Sequence, residues 1–224
     1  EKADRLGGNV SRGLVSLDKV AWGGEIMVDG YFRDLITLLE GHGDAIYPGP
    51  VTAFSTPCDP DALAAGALEL ASRSGVEVRF SSSVSAVEVR ARVIEAVWVD
   101  TPQGPVRVAA NVFLDATGDG NLGALAGHPY WLGNATTGHI QGQTLIFLMG
   151  PVDWARLSDY LRRTGGLAET YRCVGLRSLM RDLRACGGVL DDLQQGMLIN
   201  RNTWEDLVSI SASETYDNHL EPGA

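Results

Sequence analysis

The stretch Asn111-Val112-Phe113-Leu114-Asp115-Ala116-Thr117-Gly118-Asp119-Gly120-Asn121-Leu122-Gly123-Ala124-Leu125-Ala126-Gly127 decides how this chain is expected to fold. Val112, Phe113 and Leu114 form a continuous apolar run, which predicts a strand buried on both faces of a parallel sheet. The run breaks at Ala116-Thr117-Gly118-Asp119-Gly120, after which Leu122, Leu125 and Ala126 recur at helical spacing. A strand that passes through a glycine turn into a helix presents free backbone N–H groups at its carboxyl end. Open α/β sheets bind nucleotides there. Taken alone, the stretch predicts a nucleotide site of unspecified kind.

Upstream, the pattern supplies the rest of such a sheet. Asp59 is placed as an N-cap, Pro60 as the first helical residue and Asp61 in the first turn, where the helix dipole favours negative charge. Leu63, Ala67, Leu70 and Ala71 fall on one face, and Gly75 ends the helix. Val76 to Phe80 alternates with period two and predicts a strand, as do Val84 to Val89 and Val93 to Val99. Pro102-Gln103-Gly104-Pro105 turns into Val106 to Ala109. The last three strands are separated by short turns, so they predict an antiparallel meander set between two parallel strands. A further helix is expected from Tyr31 to Glu40, with Leu35, Ile36, Leu38 and Leu39 on its buried face.

Beyond Gly127 the texture changes. A loop-like stretch from Pro129 to Gly142 precedes a strand at Thr144 to Met149. Helices are expected at Asp153 to Arg163 and Gly175 to Ala185, and short strands at Met197 to Asn200 and Leu207 to Ile210. A domain change is expected near Gly127 to Trp131, giving one domain over 1–130 and part of a second over 131–224.

Composition narrows the function classes. The chain has 224 residues, 45% of them hydrophobic, which is enough for a sizeable core. A net charge of -10 excludes a sequence-independent nucleic-acid binder, which needs a basic face for phosphates. Cys58, Cys173 and Cys186 are scattered, with no spacing for a zinc or iron–sulfur site. They fit a reducing, cytoplasmic setting. No apolar run approaches the ~20 residues needed to span a bilayer, so no membrane partner is expected.

Three blocks acquire meaning together: Glu1-Lys2-Ala3-Asp4-Arg5-Leu6-Gly7-Gly8-Asn9, then Asp59-Pro60-Asp61-Ala62-Leu63 leading to Gly75-Val76-Glu77-Val78, then Leu114-Asp115-Ala116-Thr117-Gly118-Asp119-Gly120. In this combination the chain resembles the two-dinucleotide-binding-domain flavoproteins, in particular FAD-dependent oxidoreductases related to the flavin chain of heterodisulfide reductase. The resemblance implies an α/β fold: a partial Rossmann-like FAD-binding domain with an inserted antiparallel meander, plus part of a second α+β substrate domain. It implies FAD as cofactor, with hydride or two-electron transfer to a small-molecule substrate and an electron-transfer partner.

Residue by residue, the resemblance places Glu1 on the adenosine ribose. Gly7, Gly8 and Asn9 lie along the pyrophosphate and ribityl chain, and Ser11 and Gly13 near the flavin. Val84 pairs its backbone with the adenine edge, and Thr117, Gly118 and Asp119 contact the cofactor from the returning strand. For Asp119, capping the following helix is the local alternative. The family's first strand and GxGxxG fingerprint would occupy roughly 30 residues before Glu1, so the chain is expected to be an incomplete piece of the enzyme and to bind FAD weakly or not at all by itself. The competing expectation is a truncated remnant or interaction module without cofactor. An NAD-only dehydrogenase leaves the meander unexplained.

No catalytic residue is assigned. His42, His128, His139 and His219 lack any paired motif. Arg201 is a candidate for a substrate carboxylate, against the plainer reading of an exposed arginine. The oligomeric state is open.

Overall fold

In a computed structural model of the chain, the described residues are 1–12, 16–18, 21–22, 25–26, 30–41, 55–136, 138, 140, 146–165, 167–168, 172–175, 197–201 and 208–211. The structure is mixed α/β and divides into two compact units. One comprises Glu1–Arg5 and Glu77–Gly138, the other Leu6–Val76 and His139–Ala224.

In chain order, the strands are β1 (Ser16–Asp18), β2 (Ala21–Trp22), β3 (Glu25–Ile26), β4 (Ser55–Pro57), β5 (Ser83–Arg90), β6 (Val93–Thr101), β7 (Gly104–Ala109), β8 (Ile146–Met149), β9 (Leu167–Ala168), β10 (Arg172–Gly175), β11 (Met197–Arg201) and β12 (Val208–Ser211). The helices are α1 (Tyr31–Gly41), α2 (Pro60–Arg73), α3 (Asn121–Leu125) and α4 (Trp154–Arg163), with a 3₁₀ turn at Val10–Arg12.

The first unit is built on the meander, in which β5, β6 and β7 pair antiparallel in sequence order. Its first turn spans Ala91 and Arg92, with φ of 48° and 67°, so two residues carrying a β-carbon occupy the left-handed region that this tight hairpin demands. The sheet is stapled on one face by Glu88, whose carboxylate accepts from Trp98 Nε1 at 2.9 Å and from Arg107 NH2 at 2.6 Å across neighbouring strands. Ala96 and Val97 of the central strand are its buried positions. α3 packs beside β5.

The second unit holds the best-signalled helix. Asp59 caps α2 by accepting from the N–H groups of Asp61 and Ala62, both at 2.8 Å, and Pro60 begins the helix. At its other end Gly75 has φ +72°, and its N–H and that of Val76 close on the carbonyls of Ser72 and Ala71. α1 packs on α2. Leu35, Leu39, Cys58 and Leu63 form the buried cluster, joined by Val10, Ile36, Ala62 and Leu70. The helices approach closely at Gly66, where a β-carbon would lie 3.3 Å from Leu35 Cδ1. The same unit contains an antiparallel sheet in the order β8-β12-β11-β10-β9. α4 covers it with Leu161, which is fully buried with Ile199, Val208 and Ile210. Burying a leucine of this kind stabilises by about 2 kcal/mol. Asp153 caps α4 through the Arg156 N–H at 3.0 Å.

Two strand expectations are corrected. Val76 to Phe80 and Val112 to Leu114 enter no ladder, and every strand pair among the described residues is antiparallel. Val112 and Leu114, expected to be buried on both faces, are 82% and 87% exposed. The physical reason is that no described strand or layer partners them: an apolar run becomes a buried strand only when other strands hydrogen-bond its edges and other layers cover its faces. The stretch before β5 instead meets the start of the chain, where Ser81 N–H donates to the Ala3 carbonyl and Ser82 N–H to that of Glu1, both at 2.9 Å. The helix expected at Gly175 to Ala185 begins at the end of β10 and otherwise lies outside the described residues. β9 and β10 form where the sequence carries no strand pattern. No helix among the described residues is long and apolar enough to cross a membrane.

Candidate functional site

The turn Asp115–Asn121 in the first unit is organised by a residue that spacing alone did not single out. Asp115 Oδ1 accepts from Thr117 N–H at 3.0 Å and Thr117 Oγ1 at 2.7 Å, while Oδ2 accepts from Gly123 N–H at 2.9 Å. Thr117 Oγ1 in turn accepts from Asn121 N–H at 2.8 Å. These bonds, that from the Thr117 hydroxyl foremost, hold the Asp115 carboxyl below its ordinary carboxylate range. The signal was present in the sequence as an Asp two residues ahead of a Thr at the end of an apolar run, the spacing of an Asx turn.

With Asp115 and Thr117 so engaged, the tip of the turn is left open. Among the described residues, nothing accepts from the N–H groups of Gly118 or Asp119, and nothing donates to the Asp119 carboxylate. A β-carbon on Gly118 or Gly120 would meet nothing within 4 Å. The capping alternative for Asp119 is not what the structure shows: the N-cap of α3 is Gly120, at φ +66°, without a side-chain bond. The exposed carboxylate is therefore available to a ligand. A carboxylate accepts from hydroxyl groups and repels phosphate, so this donor set fits a polyol flanked by backbone N–H donors.

Two other expected residues belong to the same unit. Glu1 Oε1 accepts from the Ala3 N–H at 2.8 Å, which orders the chain start beside Arg79 to Ser82. Val84 lies on β5, paired to Val99, and among the described residues β5 is an edge strand with no sheet partner on its other side.

The remaining expected residues sit in the second unit, in one turn. Gly7 and Gly8 have φ of 102° and 55°. Ser11 is buried and donates from Oγ to the Gly8 carbonyl at 3.1 Å, and the Asn9 carbonyl accepts from Arg12 N–H at 3.2 Å. The glycines differ in what surrounds them. A β-carbon on Gly7 would collide with Leu63 and Ser11, whereas one on Gly8 would meet nothing within 4 Å. Gly7 is thus required by packing, and Gly8 leaves backbone open to approach. Gly13 lies outside the described residues.

A family model described as FAD dependent oxidoreductase matches residues 1–220. The chain belongs to that family. No curated protein and no solved structure matches it. The cofactor of this FAD dependent oxidoreductase is accordingly FAD. The groups around Gly118 fit such a cofactor chemically: open glycine backbone, N–H donors without an acceptor among the described residues, and a carboxylate suited to hydroxyls.

Other candidates in the oxidoreductase carry less. His128 Nδ1 lies 2.8 Å from the carbonyl of its neighbour Pro129, and His42, His139 and His219 fall outside the described residues. Arg201 ends β11, paired to Val208. Cys58 is fully buried and its thiol is pushed up to about 12, by desolvation and then by the charge of Asp59, which removes it from nucleophilic chemistry. No group of His, Cys, Asp or Glu among the described residues could hold a metal.

Proposed function

We propose that this chain is the FAD-binding part of an oxidoreductase that passes a hydride or an electron pair through the flavin to a small-molecule substrate, in the branch related to the flavin chain of heterodisulfide reductase. The observation that supports it most directly is the Thr117-Gly118-Asp119 turn, whose open backbone and free carboxylate stand on a chain that the family model matches over residues 1–220. In this reading the bound flavin supplies the redox chemistry, and the protein supplies position. Thr117, Gly118 and Asp119 line the cofactor's hydroxylated chain, with the Asp119 carboxylate accepting from it, while Glu1 holds the adenosine ribose and Val84 the adenine edge. Gly7, Gly8, Asn9, Ser11 and Gly13 are proposed as cofactor contacts of the second unit.

The finer expectations belong to the same proposal. They are a Rossmann-like FAD domain over 1–130, part of a substrate domain over 131–224, an electron-transfer partner and a cytoplasmic setting. The test is the visible spectrum of the purified full chain. Bound-flavin bands that disappear in Gly118→Val support the reading, and well-folded protein that neither retains nor takes up FAD overturns it.

A second reading, an interaction module without cofactor, draws on a specific observation: Trp131 is 94% exposed, and its neighbours Tyr130 and Leu132 are exposed with it. FAD titration separates the two.

A further inference from the structure

Resting on the reading of Thr117-Gly118-Asp119 as a cofactor contact, we propose that Asp115 is the positioning residue of that contact. Its carboxylate shapes the turn without touching the ligand. One oxygen holds Thr117 by both N–H and hydroxyl, and the other reaches over the turn to the Gly123 N–H. Through Thr117 Oγ1 the same carboxylate fixes the Asn121 N–H, the first residue of α3. The Thr117 N–H and hydroxyl and the Asn121 and Gly123 N–H groups are all engaged in this way. The N–H groups of Gly118 and Asp119 and the Asp119 carboxylate are what remains at the tip.

The carboxylate is matched to the task because it is acceptor-only at both oxygens. Asparagine preserves one acceptor but turns an N–H₂ toward the Gly123 N–H, donor against donor. Two roles are therefore divided between the two aspartates of Asp115-Ala116-Thr117-Gly118-Asp119. The first orders the backbone, and the second faces the cofactor.

The experiment compares Asp115→Asn, Thr117→Val, Thr117→Ser and Gly118→Val in the full chain, reading FAD affinity by flavin fluorescence and the visible circular dichroism of the bound flavin. The dichroism reports the pose of an achiral ring in its site. Asp115→Asn and Thr117→Val are expected to weaken FAD roughly tenfold, the worth of one charge-assisted hydrogen bond, and to alter the dichroism. Thr117→Ser, which keeps the hydroxyl, is expected to restore both. Far-ultraviolet dichroism of the FAD-free variants checks that the meander is intact. If a substitution unfolds the chain, amide exchange at Gly123 and Asn121 in Thr117→Ser and wild type takes its place, with protection expected in both and its absence overturning the proposal. Weakening in Gly118→Val with wild-type affinity in Asp115→Asn overturns the proposal and leaves the cofactor reading standing. Wild-type affinity in both overturns the two together. Weakening in Asp115→Asn alone also overturns it, since the effect would then not pass through the turn.

Discussion

Gly7 stands against Leu63: a β-carbon on Gly7 would lie 2.8 Å from Leu63 Cδ2 and 2.9 Å from Ser11 Cβ, on backbone already at φ +102°. Gly8, the next residue, has φ +55° and open space around it. The pair Leu6-Gly7-Gly8 therefore contains two glycines with separate purposes, one for the core and one for the surface. Gly7→Ala is expected to destabilise the second unit by about 2 kcal/mol, from overpacking and strain. Gly8→Ala should cost about 1 kcal/mol, the left-handed penalty by itself. Urea denaturation gives the stabilities. FAD titration should show the opposite ranking, with Gly8→Ala losing more affinity per unit of lost stability; equal losses in both variants would remove Gly8 from the cofactor surface.

The hairpin between β5 and β6 offers a gain. Ala91 and Arg92 occupy left-handed backbone at φ 48° and 67°, where asparagine and glycine are at ease. Arg92→Gly is expected to raise stability by about 0.5 kcal/mol, the relief of left-handed strain less the extra freedom of glycine in the unfolded chain. Thermal unfolding followed on the meander measures this, and an unchanged or lower midpoint would show that the turn is already relaxed.

Cys58 and Asp59 make a joint prediction. The thiol is fully buried and held as the neutral form, with burial the larger cause and the Asp59 charge the smaller. It should react with thiol reagents only as the chain unfolds. Asp59→Ala removes the α2 cap and is expected to cost about 1 kcal/mol, so labelling of Cys58 in dilute denaturant should accelerate. Rapid labelling of native protein would contradict the packing of Leu35, Leu39 and Leu63 around it.

The turn at Asp115 responds to acid in a defined direction. Its folded-state carboxyl lies below the usual carboxylate range because the folded turn donates to the ionised form. The stability it contributes is therefore complete above the unfolded carboxylate value of about 4 and is lost as pH falls through the lower folded value. Amide exchange at Thr117 and Gly123 should stay slow through mild acid and quicken only below about pH 4. Loss of protection in neutral solution would exclude the ionised carboxylate as the organising group.

Much of the fold was legible in local sequence. The limits of α2 follow from Asp59, Pro60 and Gly75, and the meander from period-two valines and the turns around Arg92 and Gln103. α4 follows from Asp153 and its apolar face, and β8, β11 and β12 from short apolar runs. All of these are decided within a few residues, by capping bonds, side-chain alternation and turn geometry, so the sequence alone carries them. The break and helix within Asn111 to Gly127 are local in the same sense, and the motif blocks around them carry the FAD family whose model matches the chain. What only tertiary structure decided is everything that requires a distant partner. Val112 and Leu114 look like a buried strand, yet pairing and burial are properties of neighbours, and among the described residues no strand flanks them. β9 and β10 have almost no pattern of their own: β10 becomes a strand because β11 offers an edge, and β9 because β10 then does. Asp115 and Asp119 are chemically the same residue; which one is consumed by the turn and which is left for a ligand depends on where the chain folds back to bring the Gly123 N–H to a carboxylate eight residues behind it.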